Sequence, residues 1–314
     1  MKVFITGGQG YIGSHVTRRL ASHGKSLTVI DNKSGSNLYP ALTNINYIEE
    51  SINNPSSIQV LTDLFANDPE GIVIHLSGLK SIEKSITNPE LYSTTNLAST
   101  NNVLSAMKNS GLHRIIFSSS AAVYGHGESY VTENSPLKPI SEYGRIKLKE
   151  EEIIENYVKE FSAKSAILRF FNVVGCQMPE LREISGDNIF PKITQAILQD
   201  KKFKIFGNSY QTPDGTCVRD YIDVEDVVSA IEKSILKLQY FDVGTLNIGS
   251  GKPTSVLEIV KKVNKIHDFE YEFTDPRVGD ISQLVSNNFK ARTTLDWVPL
   301  YSIDKSIKGS FLKI

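Results

Sequence analysis

The chain has 314 residues, of which 40% are hydrophobic and 22% are charged, and its formal net charge is −1. A globular chain of this length buries a large core, so it does not need disulfides or metal ions for stability. A net charge so close to zero gives no electrostatic reason to expect nucleic acid or an anionic membrane as a partner.

The cysteines and the apolar runs bear on the cellular compartment. Cys176 and Cys217 lack the spacing of metal ligands, and we expect packed thiols in a reducing compartment, with no metal site. No stretch approaches the roughly 18 apolar residues that a membrane-spanning helix needs. The chain also enters a strand-like run directly at "MKVFITGG". These features predict a cytoplasmic protein without a membrane partner.

Short apolar runs alternate with amphipathic stretches through the first half of the chain. The runs are rich in β-branched residues and lack polar alternation, which is typical of strands buried on both faces of a parallel sheet. Strands are predicted at residues 3–6, 27–30, 71–76, 114–118 and 166–170, and helices at 12–23, 89–109 and 142–161. Right-handed βαβ crossovers then give an α/β fold with a doubly wound parallel sheet of the Rossmann type.

The pattern becomes irregular after about residue 171, which predicts a second, smaller α/β lobe that binds substrate. "DVEDVVSAIEKSI" and "GTLNIGSG" suggest that the chain then returns to the first lobe. We therefore expect a dinucleotide-binding domain at 1–171 with a returning segment at about 224–249. The substrate-binding lobe would comprise residues 172–223 and 250–314.

A glycine-rich loop follows the first predicted strand, in "KVFITGGQGYIGSH". Gly7, Gly10 and Gly13 permit a tight turn and let a pyrophosphate approach backbone N–H groups at a helix N-terminus, although glycines can also serve the turn alone. The second strand leads to Asp31, near the spacing at which a carboxylate receives the adenosine ribose and repels a 2′-phosphate. This favours NAD over NADP, while Lys33 nearby could tolerate the phosphate.

The segment "SEYGRIKLKEEE" contains a candidate catalytic pair. Ser141 is a good N-cap, and Tyr143 and Lys147 lie four residues apart on one face of the predicted helix. Taken alone, YxxxK also fits a surface tyrosine beside a surface lysine. A tyrosine phenol becomes a base at neutral pH only if its phenolate is stabilised by roughly 4 kcal/mol. Lys147 and a bound nicotinamide cation could provide that stabilisation, with Ser120 of "SSSAAVYG" hydrogen-bonding the reacting oxygen.

Several motifs together resemble one family over almost the full length. They are "TGGQGYIGSH", "DN" at 31–32, "HLSGLK", "SSSAAVYG", "EYGRIK", "LRFFNVVG", "IFGNSYQTPDGTCVRDYI" and "PRVGD". With these motifs the chain resembles the UDP-glucose (UDP-galactose) 4-epimerases, within the extended short-chain dehydrogenase/reductase family. The motifs of the substrate lobe are far more specific than the glycine loop.

The resemblance implies a role for each matching residue. The catalytic base would be Tyr143, with Lys147 as its activating lysine and Ser120 as its hydroxyl partner. The implied NAD contacts are Gly7, Gly10, Tyr11, Ile12, Gly13, Asp31, Asn32, Lys80, Asn96, Tyr143, Lys147 and Phe171. The implied contacts to the UDP-sugar are Ser120, Asn172, Asn188, Ile189, Lys204, Phe206, Arg219, Arg277, Asp280 and Leu284. The arginines also suit a diphosphate on chemical grounds, because guanidinium forks match its oxygens.

The implied reaction is reversible inversion at C4 of a UDP-hexose through a 4-keto intermediate, by a homodimer. Leu284 stands where the family has a tyrosine in members restricted to glucose and galactose, so the resemblance extends the expected range to N-acetylated sugars. One alternative is a nucleotide-sugar 4,6-dehydratase, but that chemistry needs an acid and a base where this chain has Ala121 and Ala122. The other is a non-catalytic dinucleotide-sensing protein.

Some positions depart from the family or invite other interpretations. Ser51 and Ile52 replace the pair that usually meets the adenine, and the loop at 173–188 differs from the familiar motif. We expect structural or solvated roles for His75 and His126 and a packing role for Trp297. The charged run at 149–152 predicts a solvated helix face.

Overall fold

The computed structural model describes residues 1–35, 39, 41–125, 127, 129–183, 186–277 and 279–312. Its largest element is a seven-stranded sheet in which every neighbouring pair is parallel. From one edge to the other, the strands are β3 (Asn46–Glu49), β2 (Leu27–Asp31), β1 (Val3–Thr6), β4 (Ile72–His75), β5 (Arg114–Ser120), β7 (Lys164–Phe170) and β11 (Gly244–Ile248). Strand order reverses between β1 and β4, which confirms the doubly wound sheet.

Helices cover both faces of this sheet. They are α1 (Tyr11–Ser22), α2 (Ser57–Ala66), α3 (Ile82–Thr87), α4 (Pro89–Ser110), α5 (Glu142–Phe161) and α7 (Val224–Lys237). Side chains alternate across a strand, so Val3 and Ile5 pack with α1 and α7, whereas Phe4 packs with α2 and α4 on the other face. This two-sided burial explains why the strands are continuously apolar in sequence.

The predicted elements agree closely with those of the structure. The first strand and the helix at 142–161 have the predicted bounds, and the Ser141 hydroxyl accepts the Gly144 N–H at 3.0 Å. Three strands are longer than predicted: two end later, at Asp31 and Ser120, and one begins earlier, at Lys164. Strand β3 was not predicted, because its half-exposed sequence "NYIE" lacks the apolar run of the central strands.

The second half of the chain builds a smaller lobe. Its strands are β6 (Tyr130–Val131), β8 (Asn172–Val174), β9 (Phe203–Phe206), β10 (Val218–Asp223), β12 (Pro253–Ser255), β13 (Tyr271–Thr274) and β14 (Gln283–Ser286). Its helices are α6 (Ile189–Leu198), α8 (Val256–Asn264) and α10 (Ile303–Phe311), whereas α9 (Phe289–Leu295) packs against α7 and β11 of the large sheet. Strand β10 is central, because it pairs with β8, β12 and β14, and a separate core lies between α6, α8 and α10.

The chain crosses between the two sheets more than once. After β10, helix α7 packs against α1, and β11 joins the edge of the large sheet beside β7. Trp297 fastens the C-terminal region to this helix, because its ring is buried and its Nε1 donates to the Asp226 carbonyl at 3.1 Å. The expected packing role of Trp297 is confirmed.

Within the described ranges, no helix is long and apolar enough to cross a membrane.

Helix α5 is fastened to the large sheet by a buried polar network, so the prediction of a solvated face at 149–152 was wrong for Glu150 and Glu151. Both glutamates are buried, whereas Lys149 and Glu152 are exposed. Glu151 accepts two hydrogen bonds from Arg169 of β7, at 2.9 and 2.7 Å. A run of lysine and glutamate gives no sign of this, because its pattern is that of a charged surface.

The Arg169 guanidinium extends this network towards the second lobe. It also donates to the Tyr124 hydroxyl at 2.9 Å, which in turn donates to Asn247 of β11 at 2.6 Å. Burial by itself lowers the pKa of Arg169, but Glu151 outweighs that effect and raises it. The guanidinium is therefore charged, and its partners are fixed in a water-poor interior.

Glu151→Ala should lower the free energy of unfolding by about 3–5 kcal/mol, because it leaves the buried Arg169 charge without its partner. Glu152→Ala is the matched control on the same helix and should change stability by no more than about 0.5 kcal/mol. Urea denaturation of both variants measures the difference. Equal stability of the two variants would contradict the structural role given to the buried pair.

Candidate active site

The glycine loop lies between β1 and α1 and is too crowded for side chains. Gly7 has a φ of +71°, and a Cβ on Gly13 would lie 2.1 Å from the Gly7 carbonyl oxygen. Helix α1 starts at the N-cap Gly10 with no side-chain cap and no acidic residue in its first turn. The first-turn N–H groups therefore remain available, and the positive end of the helix dipole is not neutralised. An anionic pyrophosphate fits this cradle.

Asp31 lies at the end of β2, beside the glycine loop. Its two carboxylate oxygens accept the backbone N–H groups of Gln9 and Lys33 at 2.9 and 2.8 Å, which fixes the carboxylate at this edge. The Lys33 ammonium lies 2.6 Å from Glu49 on the neighbouring strand β3. Since Lys33 is already paired with a carboxylate, it is a poor partner for a 2′-phosphate. The arrangement therefore favours a ribose with free hydroxyls.

The residues expected near the adenine divide between surface and core. Asn32 donates to the Ser51 hydroxyl at 3.2 Å. Ile52 is buried in the core beside α2 and α4, and its carbonyl accepts the Asn102 amide at 2.9 Å. The side chain of Ile52 is therefore part of the core, and Ser51 and Asn32 form the more accessible pair.

The three serines that end β5 have different partners. Ser118 donates to the His75 carbonyl at 3.2 Å, and the buried Ser119 donates to Glu151. Ser120 accepts the Ala122 N–H at 3.2 Å, and its own hydroxyl proton has no acceptor in the described part of the chain. Ser120 is therefore the serine that can donate to a ligand. It is followed by a short 3₁₀ helix at Ala121–Val123, where the chain has no acid or base.

Tyr143 and Lys147 lie in the first turns of α5. The Tyr143 N–H donates to the Ser85 hydroxyl of α3 at 3.2 Å, and the tyrosine is partly exposed. Lys147 is buried, and its Nζ lies 4.6 Å from the Phe117 ring centroid and 3.0 Å from Glu150 Oε2. Burial by itself lowers the pKa of Lys147, but Glu150 and then Tyr143 raise it, and the net pKa is above its ordinary value.

His75 has a structural role, as expected. Its ring is fully buried, with Nδ1 2.7 Å from the Thr6 hydroxyl and Nε2 3.2 Å from the Thr100 hydroxyl. Burial, helped by the charge of Lys147, lowers the pKa of His75 to about 3. The imidazole is therefore neutral at any working pH. His126 lies outside the described residues.

Glu183 joins several of the predicted ligand-binding residues. This buried carboxylate pairs with Lys80 through one oxygen and accepts the Asn188 amide at 2.9 Å through the other. Tyr11 lies close to it, with its hydroxyl donating to the Gly175 carbonyl at 2.5 Å. Burial and the charge of Glu183 raise the pKa of Tyr11 well above its ordinary range. Sequence reasoning missed Glu183, because this residue lies in the loop that departs from the family motif. Residues 184 and 185, which follow it, are outside the described ranges.

Asn96 supports the loop that carries Lys80. Its side-chain oxygen accepts the Leu79 N–H at 2.8 Å, and its amide donates to the Leu79 carbonyl at 3.0 Å. The residue is fully buried on α4. These two bonds fix the backbone between β4 and α3, which makes Asn96 a loop-positioning residue.

The predicted substrate residues of the second lobe fall into two contact groups. Arg219 of β10 pairs with Asp280 at 3.0 Å and also donates to the Ile281 carbonyl at 2.6 Å. Leu284 lies opposite Arg219 in the register of β10 and β14. In the second group, the Arg277 guanidinium stacks 3.9 Å from the Phe206 ring centroid. Val278 of the "PRVGD" motif lies outside the described residues.

The remaining predicted residues lie at element ends or in the apolar core. Asn172 starts β8 and is exposed, as is Lys204 of β9, whereas Ile189 starts α6 and is partly buried. Phe171 is buried with Tyr124 and Leu284 in a small cluster between the lobes. The Arg277 guanidinium therefore presents a cation beside aromatic surface, which suits a nucleoside diphosphate, whereas Arg219 already shares its charge with Asp280.

The chain is similar to known proteins over most of its length. Residues 3–249 match the model of the NAD dependent epimerase/dehydratase family. The chain is 35% identical to the UDP-glucose 4-epimerase of Bacillus subtilis strain 168, over 95% of this chain and 92% of the relative. This chain therefore belongs to the NAD dependent epimerase/dehydratase family.

The structure is also similar to solved structures of epimerases. The UDP-glucose 4-epimerase from Bifidobacterium longum, in complex with NAD+ and UDP, superposes with a TM-score of 0.90 at 31% identity, covering 99% of this chain and 97% of that one. The UDP-Glc/GlcNAc 4-epimerase of Campylobacter jejuni superposes with a TM-score of 0.83 at 31% identity, covering 99% and 98%.

Gly13→Ala should disrupt the glycine loop, because the added Cβ would collide with the Gly7 carbonyl. We expect unfolding stability to fall by about 1–3 kcal/mol, although alanine is the better helix former, and NAD to be lost on purification. Gly127→Ala is the control, since its Cβ would meet no atom within 4 Å. Thermal unfolding and analysis of the nucleotide released on denaturation measure the two effects. Retention of NAD by Gly13→Ala would contradict the cradle.

Proposed function

We propose that this enzyme, an NAD-dependent UDP-hexose 4-epimerase, uses Tyr143 as the base that moves the O4 proton of the sugar. The observation that carries the assignment is the position of Tyr143 on α5 one turn before the buried, charged Lys147. Family membership and full-length similarity to UDP-glucose 4-epimerases support the reaction. Bound NAD supplies a nicotinamide that accepts a hydride from C4 and returns it.

Each protein residue then has a separate task. The Lys147 ammonium stabilises the Tyr143 phenolate, and Ser120, whose hydroxyl proton is uncommitted, donates to the reacting sugar oxygen. The Arg219 and Arg277 guanidinium groups hold the diphosphate while the 4-keto sugar turns over in the pocket. Because the net redox change is zero, the cofactor stays bound between turnovers. The alanines after Ser120 leave no acid–base pair for a dehydratase.

The cofactor contacts are those that the resemblance implies, and the fold supports them. We propose that 1–171 with 224–249 forms the dinucleotide-binding domain and that 172–223 with 250–314 forms the substrate lobe. The pyrophosphate would bind the loop from Gly7 to Gly13, and the ribose would bind Asp31 and Asn32. Lys80 and Phe171 would also contact NAD.

We also propose that the enzyme acts as a cytoplasmic homodimer. Exposed apolar side chains at Ile82 and Ile86 of α3 and at Leu91 of α4 lie on helices that also pack beside α5, and such a surface suits a second copy. Cys176 and Cys217 are both buried free thiols, as expected of a reducing compartment.

Tyr143→Phe should lower turnover at least about a hundredfold with little change in KM, because it removes only the oxygen that moves the proton. The assay is formation of UDP-glucose from UDP-galactose without added NAD. Tyr157→Phe is a control on the same helix, since that hydroxyl has no hydrogen-bond partner in the described ranges, and it should stay within about twofold. Near-normal turnover of the Tyr143 variant would remove it from the base role.

The substrate range is proposed to include N-acetylated sugars, with Leu284 as one wall of the hexose pocket. Leu284 is fixed in the cluster with Ala121, Val123 and Phe171, and a leucine wall lacks the ring that a tyrosine would project. In Leu284→Tyr, the ratio of kcat/KM for UDP-N-acetylgalactosamine to that for UDP-galactose should fall about tenfold or more. Any loss of activity that affects both substrates equally, such as a loss caused by overpacking, does not change this ratio. An unchanged ratio, or a wild type inactive on the acetamido sugar, would show that Leu284 does not set the range.

A further inference from the structure

Glu150 is a buried acid that the proposed chemistry does not use. It is fully buried on α5, three residues after Lys147. Its Oε1 accepts the Thr100 hydroxyl of α4 at 2.6 Å. Its Oε2 lies 3.0 Å from the Lys147 Nζ but receives no hydrogen bond of good geometry, so its contact with Lys147 is ionic.

Three other ionisable groups lie around Lys147, and none of them forms an ion pair with its ammonium as Glu150 does. Glu151 on the same helix also raises the pKa of Lys147, but less than Glu150 does, and its two oxygens are bonded to Arg169. His75 of β4, which approaches from the sheet side, is neutral. The remaining neighbours are the Phe117 ring of β5, the Thr100 hydroxyl of α4 and the Tyr143 phenol, which is uncharged in half of the proton-transfer cycle. Glu150 therefore contributes the permanent negative charge.

A lysine buried this completely does not keep its proton without compensation. Desolvation of the ammonium can lower a lysine pKa by as much as about 3–5 units, which would make the amine neutral near physiological pH. A neutral amine would give a Tyr143 phenolate little electrostatic support. The ion pair with Glu150 opposes this desolvation.

We propose that Glu150 is a positioning residue that keeps Lys147 protonated and holds its ammonium against the Phe117 ring, within electrostatic reach of Tyr143. The inference rests on the proposed role of Lys147 in the epimerase reaction. It adds Glu150 as a residue that neither reacts nor binds substrate. Glu150 sets the charge state of Lys147, which supports the reacting tyrosine.

Glu150 is itself held in place from the sheet. Thr100 donates its hydroxyl proton to Glu150, so Thr100 can only accept from His75 Nε2, and His75 Nδ1 then accepts from Thr6. The chain of hydrogen bonds runs from β1 through β4 and α4 to α5. It orients one oxygen of Glu150 towards Thr100 and leaves the other for Lys147.

The test replaces the charge and keeps the shape, in Glu150→Gln. The Lys147 titration is followed by NMR of lysine labelled with ¹³C at the ε position, with the resonance identified by its absence in Lys147→Met. We expect the Lys147 midpoint in Glu150→Gln to fall by at least about two units. At a pH one unit above the new Lys147 midpoint, turnover should fall about tenfold relative to wild type, and the alkaline limb of the kcat profile should move to lower pH with that midpoint.

Two further variants separate this role from a structural one. Glu152→Gln removes an exposed negative charge from the same helix and should leave both the titration and the pH profile unchanged. Glu150→Asp keeps the charge and should hold the Lys147 midpoint within about one unit of wild type, with most of the turnover. A packing role alone would make Glu150→Asp the worse variant, since it shortens the side chain.

The outcomes distinguish this inference from the proposed function. The inference is wrong if Lys147 in folded Glu150→Gln titrates with the wild-type midpoint. It is also wrong if the Lys147 midpoint in Glu150→Asp is as low as the one in Glu150→Gln. If the midpoint falls as expected while Tyr143→Phe retains turnover, the role of Glu150 as counter-ion stands and the base assignment fails.

Discussion

The geometry of the candidate active site depends on two buried ion pairs of helix α5, one inside the helix and one that fastens it to the large sheet. Lys147 pairs with Glu150 inside the helix, and Glu151 pairs with Arg169 across to β7. A buried charge without a partner is costly, so the helix cannot rotate or slide along the sheet without losing one of these pairs. Because Tyr143 is on the same helix, its distance from the ends of β4 and β5 is fixed by the same interactions.

The rest of the site follows from the direction of the strands. In a parallel sheet every strand ends at the same edge, which places Gly7, Asp31 and Ser120 along one edge although they are far apart in sequence. In the proposed site, the second lobe adds cationic and aromatic groups to this edge. The site is therefore assembled from short segments, each of which only needs to end its strand with the right residue.

Local patterns predicted much of this from the sequence, because each depends on neighbouring residues. The strand runs, the Ser141 cap and the glycine loop are of this kind. The burial of Glu150 and Glu151 could not be predicted, since their partners Thr100 and Arg169 come from other elements and the run "KLKEEE" has the composition of a surface. The same applies to the pairing of Lys33 with Glu49 and of Phe206 with Arg277, which are contacts between separate strands or loops.

The bridging carboxylate of Glu183 has a consequence for how variants in this region combine. Lys80, on the loop after β4, and Asn188, at the start of α6, share this one acidic group. If both bind ligands as proposed, their contributions to affinity are not separable, because removing either one frees an oxygen of Glu183 and changes the surroundings of the other. In the proposed site, the free energies of binding the cofactor and the sugar are therefore expected to be linked through the Glu183 side chain.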